Sequence, residues 1–109
     1  LTWGNCYEFL RLVTHPRVLR RPWTSAAAGE FLAALQQAPG LSMLVPTERH
    51  ALVLEEVLAE VPQITGNLWH DAETAVLMRE HGIRRICTRD TDFARFPFVE
   101  IVDPLTDEP

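Results

Sequence analysis

The feature that most constrains the fold is the alternation of helical segments with short, nearly continuous apolar runs. Apolar residues recur at helical spacing in four segments, at about 3–14, 24–37, 47–61 and 68–81. The apolar runs LSMLV, IRRICT and FVEIV have the length and composition of short strands. Strands of this kind are typical of parallel sheets that helices cover. The sequence therefore predicts an α/β sandwich with a parallel sheet.

Local signals bound these helices. Thr24 or Ser25 is placed to cap the second helix, and Thr47 to cap the third. Gly82 follows the fourth helix, at the C′ position where glycine is favoured, and is predicted to end it.

Length and composition indicate one ordinary globular domain. The chain has 109 residues, of which 47% are hydrophobic and 23% charged, enough for one core. The net charge of −5 argues against a nucleic-acid binder that works through overall charge, but not against a local basic patch beside an acidic metal site. Cys6 and Cys87 belong to no CxxC pair, so we expect reduced, buried thiols in a cytoplasmic protein.

Only three strands can be counted, which is few for a parallel sheet flanked by four helices. The chain also opens at Leu1 directly into the first predicted helix. We therefore expect that a strand preceding Leu1 is missing and that the domain is incomplete at its N-terminus.

Four carboxylates are candidates for a metal site. Asp90 and Asp92 lie just past IRRICT, and sites in open α/β sheets form beyond the carboxyl ends of the strands. Asp71, near the start of the fourth helix, and Glu8, within the first, could converge on them. Oxygen-only clusters of this kind suit Mg²⁺ or Mn²⁺, which can support phosphodiester hydrolysis.

Each of the two carboxylates after IRRICT also has a structural interpretation. Asp90 can cap the turn that follows it. Asp92 can pair with Arg89 or Arg95. Spacing alone does not choose between these interpretations and a metal site.

The same holds for the other two carboxylates. Asp71 falls in the first turn of a helix, where the helix dipole favours a negative charge without any function. Glu8 can pair with Arg11, three residues later on the same helix. The four histidines form no metal pattern, and His70, beside Asp71, is the only one with a candidate functional role.

The loop HPRVLRRPW is a second candidate region. Its arginines are Arg17, Arg20 and Arg21. Guanidinium groups suit forked contacts with phosphate, so the loop is either a phosphate-contacting rim, a docking surface for an acidic partner, or simply a solvated loop. The tryptophans Trp3, Trp23 and Trp69 are expected in the core or in an interface, with base stacking as the alternative for Trp23.

Three stretches together resemble the PIN-domain ribonucleases, specifically the VapC-type toxins of type II toxin–antitoxin pairs. They are EFLRLVTHPRV at 8–18, GNLWHDAETAVLMREHGI at 66–83 and CTRDTDFARFPFVEIVDPL at 87–105. The last is the most specific, because T-x-D-x-D-F, ARFP and Asp-Pro follow one another in one run. The resemblance implies one domain over 1–109, with a three-layer α/β/α fold around a parallel sheet.

The resemblance also implies a metal site and an RNA substrate. By motif, Glu8, Asp71, Asp90 and Asp92 match the acidic residues that hold Mg²⁺ or Mn²⁺ in the family and carry out catalysis. Water would be the nucleophile in the hydrolysis of RNA phosphodiester bonds. The residues expected to contact RNA are Arg11, Arg17, Arg20, Arg21 and Thr88.

The partners implied by the resemblance are a cognate antitoxin that blocks the acidic pocket and a second copy of the toxin in a homodimer. Family members begin with a strand that carries Asp in a D-x-N pattern, and here the chain starts after it. Two alternatives therefore stay open. One is a truncated, non-catalytic PIN domain that binds an antitoxin or another partner. The other is a different Mg²⁺-dependent α/β phosphoryl enzyme, for which DTD is the only support.

Overall fold

The computed structural model describes residues 1–106, which form helices, two short strands and one 3₁₀ helix. In chain order these elements are α1 (Trp3–Val13), α2 (Ser25–Gln36), α3 (His50–Glu60), α4 (Leu68–Glu80), β1 (Arg85–Cys87), the 3₁₀ helix (Thr91–Arg95) and β2 (Glu100–Val102). The chain divides into two compact units, Leu1–Val45 and a second unit that begins at Pro46. No helix in the described part is both long and apolar enough to cross a membrane.

The first unit packs α1 against α2, and side-chain caps start both helices. The Thr2 hydroxyl accepts a hydrogen bond from the Asn5 N–H at 3.1 Å, and the Asn5 side chain accepts one from the Thr2 N–H, which makes a capping box. Thr24 caps α2 through its hydroxyl, as predicted. Leu32 of α2 and Cys6 of α1 are buried.

The predicted strand LSMLV is wrong. Within the described residues, Leu44 forms a single parallel bridge with Thr2, and the Leu44 N–H donates to the Leu1 carbonyl at 2.7 Å. Thr2 is also the N-cap of α1, so the chain turns into a helix directly after the bridge. Pairing between the two segments therefore cannot continue past Thr2, because the residues after Thr2 are helical and not extended.

The second unit contains a parallel pair of strands, in which Arg85, Ile86 and Cys87 face Glu100, Ile101 and Val102. This confirms the predicted α/β class and parallel pairing. Each strand has three residues and is shorter than predicted. Cys87 of β1 is exposed, so its expected burial is wrong, whereas Cys6 is buried as expected.

The end of α4 explains the late start of β1. Gly82 adopts a φ of 71° and ends the helix, as predicted. The Gly82 N–H donates to the Arg79 carbonyl at 3.2 Å and the Ile83 N–H to the Met78 carbonyl at 2.8 Å, which is a Schellman motif. Ile83 is thus bonded to the helix, and pairing with β2 begins only at Arg85.

The core of the second unit lies between α3, α4 and the segment after β1. Its buried residues include Val53, Val57, Ala72, Ala75, Val76, Met78, Phe93, Phe96 and Val99. The backbone N–H and the hydroxyl of Thr47 both donate to the Glu80 carboxylate. Helix α3 begins at His50 and not after Thr47, because the chain first makes a turn in which the His50 N–H donates to the Thr47 carbonyl at 3.1 Å. The predicted start of this helix is therefore wrong.

Candidate metal centre

Three successive hydrogen bonds hold the segment after β1. The Thr88 N–H donates to the Val102 carbonyl at 3.0 Å, and the Asp90 N–H donates to the Thr88 hydroxyl at 3.0 Å. The Asp92 N–H then donates to Asp90 Oδ1 at 2.9 Å, at the start of the 3₁₀ helix. Phe93 follows and is buried in the core. Asp90 is therefore a helix cap, as its structural interpretation predicted.

The start of α4 lies beside this segment. Ala72 of α4 and Phe93 of the 3₁₀ helix are buried in the same core, and Asp71 directly precedes Ala72. One carboxylate oxygen from each of Asp71, Asp90 and Asp92 lies within 4.8 Å of the other two. Asp71 is half-buried, and the two other aspartates are exposed. The structure thus brings together three of the four carboxylates singled out in the sequence.

The electrostatics of this cluster are unfavourable without a counter-charge. Burial raises the pKa of Asp71 above its ordinary value, and the negative charges of Asp90 and Asp92 raise it further. The neighbouring His70 acts in the opposite direction. A positive charge at the centre of the cluster would remove the repulsion among the three carboxylates.

The donor set fits a hard divalent cation. Mg²⁺ and Mn²⁺ prefer oxygen ligands, and Mg–O bonds of about 2.1 Å place opposite ligands about 4.2 Å apart. The 4.8 Å limit on the distances within the cluster is close to that value. Capping uses Oδ1 of Asp90, and a carboxylate has a second oxygen that can bind a cation.

Glu8 lies on α1, in the first unit, whereas the three aspartates belong to the second. Its carboxylate is paired with Arg11, at 2.6 Å from Nη2 to Oε1 and 3.1 Å from Nε to Oε2. The hydrogen bond and the charge of Glu8 raise the pKa of Arg11. The i,i+3 pair foreseen for Glu8 is therefore present, and its role as a fourth ligand stays a prediction.

Asp103 was missed by sequence reasoning. Arg89, foreseen as a partner of Asp92, instead pairs with Asp103, at 3.3 Å from Nε to Oδ2. Asp103 also accepts a hydrogen bond from the Leu105 N–H, which holds the pKa of its carboxyl below the ordinary value. The signal was its position, because Asp103 follows β2 as Asp90 follows β1.

Glu80 was also missed. Its side chain is fully buried and accepts hydrogen bonds from the backbone and hydroxyl of Thr47, while its other oxygen lies 2.6 Å from His50 Nδ1. Glu80 lies one helical turn after the buried Val76 and is on the same face of α4. That spacing was the available signal for a buried carboxylate.

The remaining candidates lie on the surface or close to it. Arg11, Arg17, Arg20 and Arg21 are exposed, and Thr88 is half-buried. The tryptophans, expected in the core or an interface, are exposed by 47% (Trp3), 38% (Trp23) and 44% (Trp69). Their placement in the core is therefore wrong.

Comparison with known proteins gives the family. The PIN domain model matches residues 5–99. Ribonuclease VapC48 of Mycobacterium tuberculosis is 33% identical over 106 residues, which cover 97% of this chain and 72% of that protein. Ribonuclease VapC37 of the same organism is 37% identical over 103 residues, which cover 94% of this chain and 69% of that protein. Ribonuclease VapC24, also of Mycobacterium tuberculosis, is 30% identical over 104 residues, which cover 93% of this chain and 69% of that protein. The chain therefore belongs to the PIN-domain family and, within it, to the VapC-type ribonucleases.

Proposed function

We propose that this chain is a metal-dependent endoribonuclease toxin that hydrolyses RNA phosphodiester bonds. The observation that carries the proposal is the convergence of Asp71, Asp90 and Asp92 beyond the carboxyl end of β1. The names of the related ribonucleases support RNA as the substrate.

Asp71, Asp90 and Asp92 would hold Mg²⁺ or Mn²⁺, with Glu8 as a fourth carboxylate. When bound, such an ion activates water and neutralises charge that develops on phosphate oxygens. The contribution of the protein is to position the carboxylates in advance. The cap on the 3₁₀ helix and the burial of Phe93 fix Asp90 and Asp92 on a short, anchored segment, so little reorganisation accompanies binding.

The substrate contacts we propose are phosphate contacts by Arg11, Arg17, Arg20 and Arg21, with Thr88 close to the cluster through its bond to Asp90. We further propose one domain over 1–109, a cytoplasmic location, a homodimer and a cognate antitoxin. A protein bound over the three aspartates would exclude both cation and RNA, which is the simplest way to neutralise such an enzyme.

RNA cleavage in Mn²⁺ tests the proposal. We expect the full chain to cleave single-stranded RNA in Mn²⁺ and not in EDTA. Asp71→Asn and Asp92→Asn should each lower the rate by about 100-fold or more, because each removes a charged oxygen ligand of the cation, and loss of even an outer-shell partner of a metal site costs about 10- to 100-fold. Glu73→Gln is the matched control, since Glu73 is an exposed carboxylate on the same helix, and its rate should stay within about twofold of wild type.

Calorimetric titration with Mn²⁺ separates the remaining outcomes. A chain that binds Mn²⁺ through these aspartates and cleaves no RNA would be a non-catalytic PIN domain that serves as a binding module. A chain that binds no Mn²⁺ would contradict the metal site itself.

A further inference from the structure

Three aromatic side chains of the first unit form a surface cluster, here called the ring cluster: Phe9 of α1, Trp23 before α2 and Phe31 of α2. The ring centroids are 5.5 Å apart for Phe9 and Phe31, 5.6 Å for Trp23 and Phe31, and 5.9 Å for Phe9 and Trp23. Trp23 meets its two neighbours edge to face, at 85° and 75°. Trp23 and Phe31 are nevertheless 38% and 47% exposed, so aromatic surface remains in contact with solvent.

The backbone fixes the position of Trp23. Its N–H donates to the Val13 carbonyl at 2.8 Å, next to the end of α1. The next residue, Thr24, is the N-cap of α2. The ring cluster is therefore anchored on two helices and on the residue that joins the loop to the second of them. An aromatic platform of this kind can accept a flat ligand without first becoming ordered.

The loop that leads from α1 to Trp23 is positively charged. Glu8 and Glu30 directly precede Phe9 and Phe31, and Glu8 is paired with Arg11. The segment 12–29, which leads from α1 through Trp23 into α2, contains Arg17, Arg20 and Arg21 and no acidic residue. These three guanidinium groups form no ion pair with another residue of 1–106. Residues 1–45 hold four arginines and two glutamates, a formal charge of +2, in a chain whose total is −5.

We propose that the ring cluster and the arginines of segment 12–29 bind single-stranded RNA. An unpaired base stacks on Trp23 and Phe31, and the arginines contact the flanking phosphates. A purely apolar partner would use the rings and leave the arginines unmatched, whereas an acidic peptide would use the arginines and leave the rings exposed. Single-stranded RNA uses both. The choice of RNA as the ligand rests on the proposed function. The arrangement of the rings is observed independently of that function.

Binding measured without cleavage tests this proposal. The full chain is titrated in EDTA against a fluorescein-labelled ten-nucleotide single-stranded RNA, with fluorescence anisotropy as the readout. Trp23→Leu and Phe31→Leu should each weaken binding by roughly 5- to 150-fold, the range for loss of one stacked base. Trp3→Leu is the matched control, because Trp3 is an exposed tryptophan of the same unit outside the ring cluster, and its affinity should equal that of wild type.

A second test compares the normal RNA with an RNA of the same length that contains abasic sites. This comparison can be made with the wild-type protein alone. Wild type should bind the abasic RNA at least about 5-fold more weakly than the normal RNA, and Trp23→Leu should show a smaller difference between the two RNAs, because only Phe31 is then left for stacking. Arg20→Ala should reduce the slope of log affinity against log salt by about 0.7, the value for one phosphate contact on a single strand. Arg84→Ala, an exposed arginine of the second unit, should leave the slope unchanged.

Two results would overturn the proposal. One is equal binding of normal and abasic RNA by wild type, whatever the variants do. The other is loss of self-association in Trp23→Leu by sedimentation velocity with RNA affinity retained, which would make the ring cluster an interface between copies. Base-dependent binding by a chain that cleaves nothing in Mn²⁺ would contradict only the enzyme, and cleavage without a ring contribution would contradict only this site.

Discussion

At the scale of single residues, Asp71 carries its charge at a half-buried position beside two other carboxylates. Burial and the charges of Asp90 and Asp92 raise its pKa, so at pH 7 the ionised form costs free energy in the folded state. That cost is present above the ordinary carboxyl pKa and disappears as the pH falls and Asp71 is protonated. A bound cation would also remove this free-energy cost, because the cation stabilises the ionised form of Asp71.

Asp71→Asn should therefore stabilise the metal-free protein and weaken the effect of metal. In EDTA at pH 7 we expect a gain on the order of 0.5 kcal/mol, or about 2–4 °C in Tm, measured by circular dichroism. Adding Mn²⁺ should raise the Tm of wild type and change that of Asp71→Asn much less. Glu73→Gln should behave as wild type in both conditions. A variant that is less stable than wild type in EDTA would contradict the repulsion described for this cluster.

Residue-level prediction from sequence succeeded where position along the chain was sufficient. Asp90 and Asp92 follow a strand, and the carboxyl end of a strand is a site position in any open α/β sheet. Glu80 was not found, because its partners Thr47 and His50 are 33 and 30 residues away. A buried acid is recognisable as such only when the donors that satisfy it are known.

At the scale of elements, α4 connects the candidate metal centre to the start of β1, and Gly82 makes the turn between them. Its φ of 71° lies in the left-handed region, and an added Cβ would meet no atom within 4 Å. The cost of a side chain there is therefore conformational and not steric.

Gly82→Ala should destabilise the protein by about 1–2 kcal/mol. Gly29→Ala is the matched change, because Gly29 lies inside α2 with nothing within 4 Å of an added Cβ, and it should stabilise by about 0.5–1 kcal/mol. Urea unfolding measures both. Changes of the same sign in the two variants would show that Gly82 does not act through its backbone conformation.

The contact between Glu80 of α4 and the segment before α3 gives a pH dependence. Burial alone would raise the pKa of Glu80, but the hydrogen bonds from Thr47 and His50 outweigh it and lower the pKa from 4.5 to about 2. A carboxyl with a lowered folded-state pKa stabilises fully above its unfolded pKa. The stabilisation is lost as the pH falls from about 4.5 towards 2.

Glu80→Gln should cost about 1–3 kcal/mol at pH 7, because Thr47 and His50 lose a charged acceptor. The difference in unfolding free energy between wild type and Glu80→Gln should shrink steadily from pH 5 to pH 2. Urea titrations across this range give the difference, and Glu48→Gln, an exposed glutamate near the same segment, should show none. A difference independent of pH would mean that the ionised form of Glu80 is not what stabilises the contact.

Element-level prediction was accurate for helices, apart from the start of α3, and poor for strands. Caps such as Thr24 and stops such as Gly82 act on neighbouring residues, so the sequence contains the whole signal. A strand depends on a partner elsewhere in the chain. LSMLV has the composition of a strand, but its partner at Thr2 belongs to a helix cap, and within residues 1–106 one bridge is all that it forms.

At the scale of the whole molecule, the charge is divided unevenly along the chain. Residues 1–45 carry +2, and the remainder, which contains the three clustered aspartates, carries −7. The uneven division was readable from the sequence, but which exposed rings accompany the positive part was not, because it depends on the packing of α1 against α2.

If residues 1–109 form one domain, the two compact units should unfold together. We expect a single calorimetric transition in EDTA, with equal calorimetric and van't Hoff enthalpies. Because we propose Glu8 of the first unit as a ligand, Mn²⁺ should shift that transition upward without splitting it, and Glu8→Gln should reduce the shift. Two separate transitions, of which Mn²⁺ moves only one, would assign the metal to the second unit alone.

The cap made by Asp90 has a consequence for how such a protein can change over generations. Asparagine caps a helix about as well as aspartate, and its side-chain oxygen can accept the same bond from the Asp92 N–H. A single base change in the Asp90 codon would thus remove the charge and keep the loop. This change is therefore a short route to a folded chain that lacks the proposed ribonuclease activity.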